Sequence, residues 1–389
     1  MLIAILSDTE CRTPISDSTP TTATIPSTGA VEGAFSVNSS QSEDTQPTQL
    51  PTPPPQPQDF KPPKALLDEA VSLLDEKRYE KALDCLSTVQ VDLGNADDEQ
   101  HQNWDPDMTD TIGNMGLAYS EQGHYAKAQD FTERALARFE KSGNHRSTAG
   151  ALNNLGIVFD KQGDYSKALE SHERALAGYQ KIATTNDTDP DMINTLNNMG
   201  IVFRKQGNHA KAFEHHFRAL NGSRKAGNHH SCATTLNNLG VVFFSQGNYN
   251  DAWEFYSRAL TCYESTIFGD NPDMLATLHN MGLLFETLKL FAKALPYYHR
   301  ALTGYANLYG DNSHVTLGTL RNLGNVLYNL RDYEQTVEIC ARELAARKKV
   351  LGRKNSETIE TQHRHTEAKA ALSRQREGSG ENDSMVVES

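Results

Sequence analysis

Five cysteines in 389 residues, scattered at Cys11, Cys85, Cys232, Cys262 and Cys340, give this chain little to staple itself with. Their number is odd and no Cys-x-x-Cys or zinc-type spacing occurs, which points to a reducing, cytoplasmic setting. No apolar run approaches the ~18 residues of a spanning helix, so membrane insertion is not expected. The apolar start Met1–Leu6 is short and lacks a basic lead, unlike a secretory signal. Basic residues are in deficit as well: 50 acidic against 37 basic leave a net charge of −13, a poor field for nucleic acid. The histidine clusters His215-His216, His229-His230 and His363-x-His365 belong to no four-ligand spacing. No phosphate loop is present, and no nucleophile stands with a base. Neither a metal, a cofactor nor catalysis is expected.

What the chain has is repetition, which decides architecture before any local reading does. The anchor glycines Gly116, Gly156, Gly200, Gly240, Gly282 and Gly324 are separated by 40, 44, 40, 42 and 42 residues. Two residues before them stand Asn114, Asn154, Asn198, Asn238, Asn280 and Asn322. Twelve after the first five stand Ala128, Ala168, Ala212, Ala252 and Ala294, and eighteen after all six stand Arg134, Arg174, Arg218, Arg258, Arg300 and Arg342. The chain is a stack of like units.

Within a unit the apolar residues follow a helical period, as in Leu152, Leu155, Val158 and Phe159, then Tyr165, Ala168, Leu169 and Leu176 after the break at Gln162-Gly163-Asp164. Each unit therefore reads as helix, tight turn and antiparallel helix, and the fold class is all-α. Glycine inside a helix costs roughly 1 kcal/mol relative to Ala, so its regular return requires close approach. Gly156 and Ala168 notch the crossing, and the expected fillers are the rings three after the glycine (Tyr119, Phe159, Phe203, Phe243, Phe285) and the ring or His nine after it. His216 falls sixteen after Gly200, where Tyr256 and Tyr298 stand in later units, and reads as a packing position.

This Leu-Gly, Tyr, Ala, Ala-Leu spacing resembles the tetratricopeptide repeat, and the resemblance implies a right-handed α-solenoid of tandem helical hairpins. Units ending in Phe268-Gly-Asp-Asn-Pro-Asp-Met or Tyr309-Gly-Asp-Asn-Ser-His-Val, with Thr-Leu-x-Asn following, resemble the repeats of kinesin light chains. Units joined by Gly143-Asn-His and Gly227-Asn-His are similar to those of the Leu-Gly-Asn class of polarity adaptors. Both families bind peptides, so the resemblance implies a non-catalytic interaction scaffold. No heptad segment precedes the repeats, which argues against a motor subunit.

The same register sets the edges. A degenerate first unit runs Leu66, Leu67, Ala70, Tyr79, Ala82, Leu86, with Ala70 where the glycine belongs. Residues 356 to 375 read as one polar capping helix, as a solenoid end needs. The array thus spans 63–376, about seven helix pairs and a cap. Residues 1–62, rich in Ser, Thr, Pro and Gln and including Pro51-Thr-Pro-Pro-Pro-Gln-Pro57, are expected to be disordered, as is the acidic tail 377–389. The proline run reads as a stiff spacer, having no basic residue and no Pro-Pro-x-Tyr.

The Asn column carries the expected function. Leu152 and Leu155 face the partner helix, so Asn154 points elsewhere, and in the tetratricopeptide fold that direction is the concave wall. A carboxamide pairs with a backbone N–H and C=O together, so Asn114, Asn154, Asn198, Asn238, Asn280 and Asn322 read as a ladder clamping an extended chain. The competing reading is that these residues bridge neighbouring helices. Around the ladder, Lys161, Arg204 and Lys205 beside Phe244, with Arg321 near the end, suit a peptide with acidic residues next to an apolar anchor. The Arg column is expected to pair with acids or carbonyls of the following unit. The alternative function is a structural subunit that self-associates through the solenoid ends or convex face.

Overall fold

The computed structural model describes residues 66, 69–70, 72–73, 79–92, 106–182, 188–266 and 269–386. The segment 1–62 lies outside them. The described residues form helices and no strand. After α1 (Tyr79–Asp92) come six hairpins: α2 (Pro106–Glu121) with α3 (Tyr125–Ser142), α4 (His145–Gln162) with α5 (Tyr165–Ile182), α6 (Pro190–Lys205) with α7 (His209–Lys225), α8 (His229–Ser245) with α9 (Tyr249–Thr266), α10 (Pro272–Thr287) with α11 (Phe291–Tyr309), and α12 (His314–Asn329) with α13 (Tyr333–Val350). Then α14 (Ser356–Val386) closes the array, running past Gln375, where the sequence reading ends it. Before α1, Ala70 joins Leu86 and Met115 in one buried cluster.

Helix starts follow local chemistry. Asp189 and Asn271 cap α6 and α10 by accepting from the N–H groups of Asp191 and Asp273. Pro190 and Pro272 follow, where a missing N–H leaves nothing unsatisfied. The turns inside the first four hairpins need one left-handed residue, supplied by Gly123, Gly163, Gly207 and Gly247. In the last two hairpins Lys289 (φ 58) and Arg331 (φ 62) take that place, at a steric cost of roughly 1–2 kcal/mol each.

The glycine notch is filled differently from the sequence expectation. A Cβ on Gly156 would lie 2.6 Å from the His172 ring, on Gly200 2.6 Å from His216, on Gly240 2.6 Å from Tyr256 and on Gly282 2.7 Å from Tyr298. The ring sixteen residues on therefore lies flat against the glycine, and His216 is the packing residue the register implies. The ring three after the glycine packs instead on the residue fifteen after it: Tyr119 stacks on Phe131 at 5.4 Å, Phe243 on Phe255 at 5.1 Å and Phe285 on Tyr297 at 5.6 Å, while Phe203 meets His215 tilted at 4.9 Å. The ring nine after it meets the groove position four after it, as Tyr249 meets Phe244 at 5.6 Å.

Three arginines of the column reach an earlier segment of the chain, not the following unit. Arg174 reaches Glu140 at 3.5 Å, Arg300 reaches Glu264 at 2.5 Å, and Arg342 pairs with Asp311 through Nε at 3.0 Å. Arg134 and Arg258 meet acids one turn back in their own helices, Asp130 at 3.6 Å and Glu254 at 3.8 Å. At the far end, fully buried Glu343 accepts from Arg347 at 2.9 Å, Arg364 at 3.0 Å and Thr361 at 3.1 Å. Arg364 also donates to the Arg321 carbonyl at 2.9 Å, tying α14 to both α12 and α13.

Candidate binding groove

From α2 to α12, each first helix touches the next first helix directly, whereas second helices meet only first helices closely. The closely packed side of a curved stack is its inside, so the first helices form the concave wall. On each of them the asparagine, the residue three later and those six and seven later share one face.

The six asparagines are half-buried at equivalent places but differ in bonding. Asn198 donates to Asn153 Oδ1 at 3.1 Å, Asn280 to Asn237 Oδ1 at 3.0 Å, and Asn322 to His279 Nε2 at 3.3 Å. Each bond crosses to the preceding hairpin, and the deciding residue is the one just before that hairpin's own asparagine. Gly113 offers Asn154 no side chain. Asn197 is turned away from Asn238: its Oδ1 accepts from His216 Nδ1 at 2.9 Å and its Nδ2 donates to Thr235 at 2.9 Å. Among the described residues, Asn114, Asn154 and Asn238 make no side-chain hydrogen bond. The ladder thus splits into members that bridge helices and members whose carboxamides are open.

Behind this wall stand three neutral imidazoles. Burial pushes His172 down to about 4 and His279 to about 4. His216 is pushed to about 3 by burial first, then by the charges of Arg204 and His215.

One turn after the asparagines, Leu117, Ile157, Ile201, Val241 and Leu283 are half-buried on the same face. Sequence reasoning missed this apolar stripe, although its signal is present: an aliphatic residue follows every anchor glycine but the last, where Asn325 stands.

The charged residues around the ladder are mostly occupied. Lys205 reaches Asp160 at 2.6 Å on the preceding hairpin, Lys161 is engaged with its surroundings, and Arg321 is ion-paired with Glu360 of α14. Tyr328, in line with Phe244, donates to Glu367 at 3.0 Å. Arg204 is half-buried, and its side chain makes neither a hydrogen bond nor an ion pair among the described residues.

A tetratricopeptide repeat profile matches residues 107–181, 191–265 and 273–328, and a second such profile matches 316–357. The chain belongs to the tetratricopeptide repeat family. Among solved structures, this tetratricopeptide array is similar to NprR in complex with its cognate peptide NprX, with a TM-score of 0.53 at 15% identity over 77% of this chain and 85% of that one. It is also similar to a Rap protein complexed with Competence and Sporulation Factor, with a TM-score of 0.50 at 14% identity over 80% and 99%. BtubC (BKLC) from P. vanneervenii matches at a TM-score of 0.45 and 19% identity over 64% and 94%. At these identities the likeness is one of fold. No curated protein sequence matches the chain significantly.

Proposed function

We propose that the first-helix wall binds an extended peptide or a partner's tail, and that the protein is a non-catalytic cytoplasmic scaffold. The observation that carries this reading is the pairing of the half-buried aliphatic stripe with the open carboxamides of Asn154 and Asn238. Adjacent helices lie about 8–10 Å apart and an extended peptide advances roughly 3.3 Å per residue. One carboxamide therefore meets about every third peptide unit, and the stripe takes apolar side chains between them. The peptide held by NprR in the same fold supports the reading. The Arg204 side chain, without a partner among the described residues, favours a partner with an acidic residue beside an apolar anchor.

A decapeptide array probed with the full chain tests this. Binders selected there should lose about tenfold or more affinity for Asn154→Ala with Asn238→Ala, since two to four net bonds of roughly 0.5–1.5 kcal/mol disappear. Undiminished affinity at intact helix content rejects the clamp.

A further inference from the structure

We infer that Arg204 is the receptor for a single carboxylate of the bound peptide, the point at which the groove reads charge. This rests on the groove reading and narrows it. A guanidinium carries five N–H donors, and those of Arg204, half-buried at the end of α6, have no acceptor among the described residues. A partly desolvated charge without a partner is costly, and the neighbouring Lys205 shows what the chain does elsewhere: it meets Asp160 at 2.6 Å.

Among the described residues no carboxylate is paired with Arg204. One turn back along α6, His216 lies on Gly200, and its ring, only 1% exposed, leaves Nε2 without a partner. With Nδ1–H given to Asn197 and Nε2 buried without an acceptor, burial keeps that ring neutral, and it gives the guanidinium no counter-charge. Arg204 lies on α6, the first helix of its hairpin, between the first helices α4 and α8. The open asparagines Asn154 and Asn238 flank it one hairpin to either side.

The site suits one negative charge. Lys205 is already paired with Asp160, which leaves the single guanidinium of Arg204 for a ligand's charge. A planar carboxylate matches the guanidinium fork in a bidentate pair. It can come from an Asp or Glu side chain or from a peptide's C-terminus, and Ile201 and Val241 give the flanking residues an aliphatic floor.

The test uses the full chain and a positional-scanning decapeptide library, amidated at the C-terminus, with one position at a time fixed as Glu or as Gln. A second arm carries a free C-terminal carboxylate and no acidic side chain. Wild type should favour Glu over Gln by about tenfold at one position, or favour the free carboxylate over the amide by as much; the arm that responds names the source. Arg204→Met should erase the preference while keeping affinity for the neutral peptides, whereas Lys205→Met should keep it. Without peptide, Arg204→Met should leave the melting temperature unchanged or higher, because an unpaired charge has gone. A preference that survives Arg204→Met, or a wild type blind to charge in both arms, overturns the assignment. Charge-blind binding that still falls in Asn154→Ala with Asn238→Ala overturns Arg204 alone. No binding in either arm overturns the groove and Arg204 together.

Discussion

Asn198 on α6 and His172 on α5 converge on one oxygen, Asn153 Oδ1, each at 3.1 Å. A groove residue and a buried packing residue thus share an acceptor, and the bond between hairpins is made inside the binding face. Part of the ladder is cement for the stack, and part is open to a ligand.

Removing the shared acceptor should separate the two roles. Asn153→Ala deletes two bonds and leaves a buried imidazole N–H unsatisfied, a loss of about 1–3 kcal/mol. Asn154→Ala, next in sequence but unbonded among the described residues, should stay within about 0.5 kcal/mol of wild type. Urea denaturation of both variants checks this, and equal destabilisation would show that the hydrogen bonds described do not decide stability.

The second prediction concerns the notch at Gly200, where a Cβ would sit 2.6 Å from the His216 ring. Gly200→Leu overpacks that crossing and should destabilise by roughly 1–3 kcal/mol. Repeats contact their neighbours, so hydrogen exchange should speed first in α6 and α7 and only later elsewhere. Uniform acceleration from α2 to α14 would contradict a solenoid of semi-independent units.

The legible part of this protein is its periodicity. Helix pairs, turns and the register of Gly200, Asn198 and Arg218 follow from repetition, because each column answers the same packing problem in every unit. Which ring fills the notch was hidden: Phe203 stands one turn on in the helix of Gly200 and His216 on the next helix, and only the crossing geometry puts the second on the glycine. The bonding of Asn198 and Asn238 could not be told apart either, since it depends on the rotamers of Asn153 and Asn197 in the preceding hairpin. The cations were legible as a cluster, but the Asp160 partner of Lys205 lies across a hairpin boundary and no local pattern announces it.

The capping helix gives a third prediction. Glu343 is fully buried between Arg347 and Arg364, so Glu343→Gln leaves Arg364 without its counter-charge and Arg347 with Glu357 alone. Breaking a buried pair from one side costs about 3–5 kcal/mol. Exchange protection should fall in α12, α13 and α14 while α4 to α7 keep theirs. Loss of protection along the whole array at once would mean that the cap governs global stability instead.

The last prediction is the acid response. His172, His216 and His279 are held neutral at about 4, about 3 and about 4, against about 6.5 in an unfolded chain. Between those limits the unfolded chain binds protons that the folded chain refuses, so stability is complete above pH ~6.5 and falls as pH drops toward ~4. Each such histidine contributes a slope of about 1.4 kcal/mol per pH unit in that window. Asp189 and Asp311, held low chiefly by Arg146 and Arg342, act in the same direction but only at lower pH. His230, raised by Asp273, acts in the opposite sense, its contribution being lost as pH rises. His172→Phe keeps a ring on Gly156, as Tyr256 and Tyr298 do on their glycines, and removes one titrating group. Urea unfolding at pH 7, 6 and 5 should show the variant losing less stability than wild type on acidification, by about one proton's slope. An unchanged pH dependence would mean that His172 is already charged in the native state, and the neutral imidazole behind the groove wall would have to be abandoned.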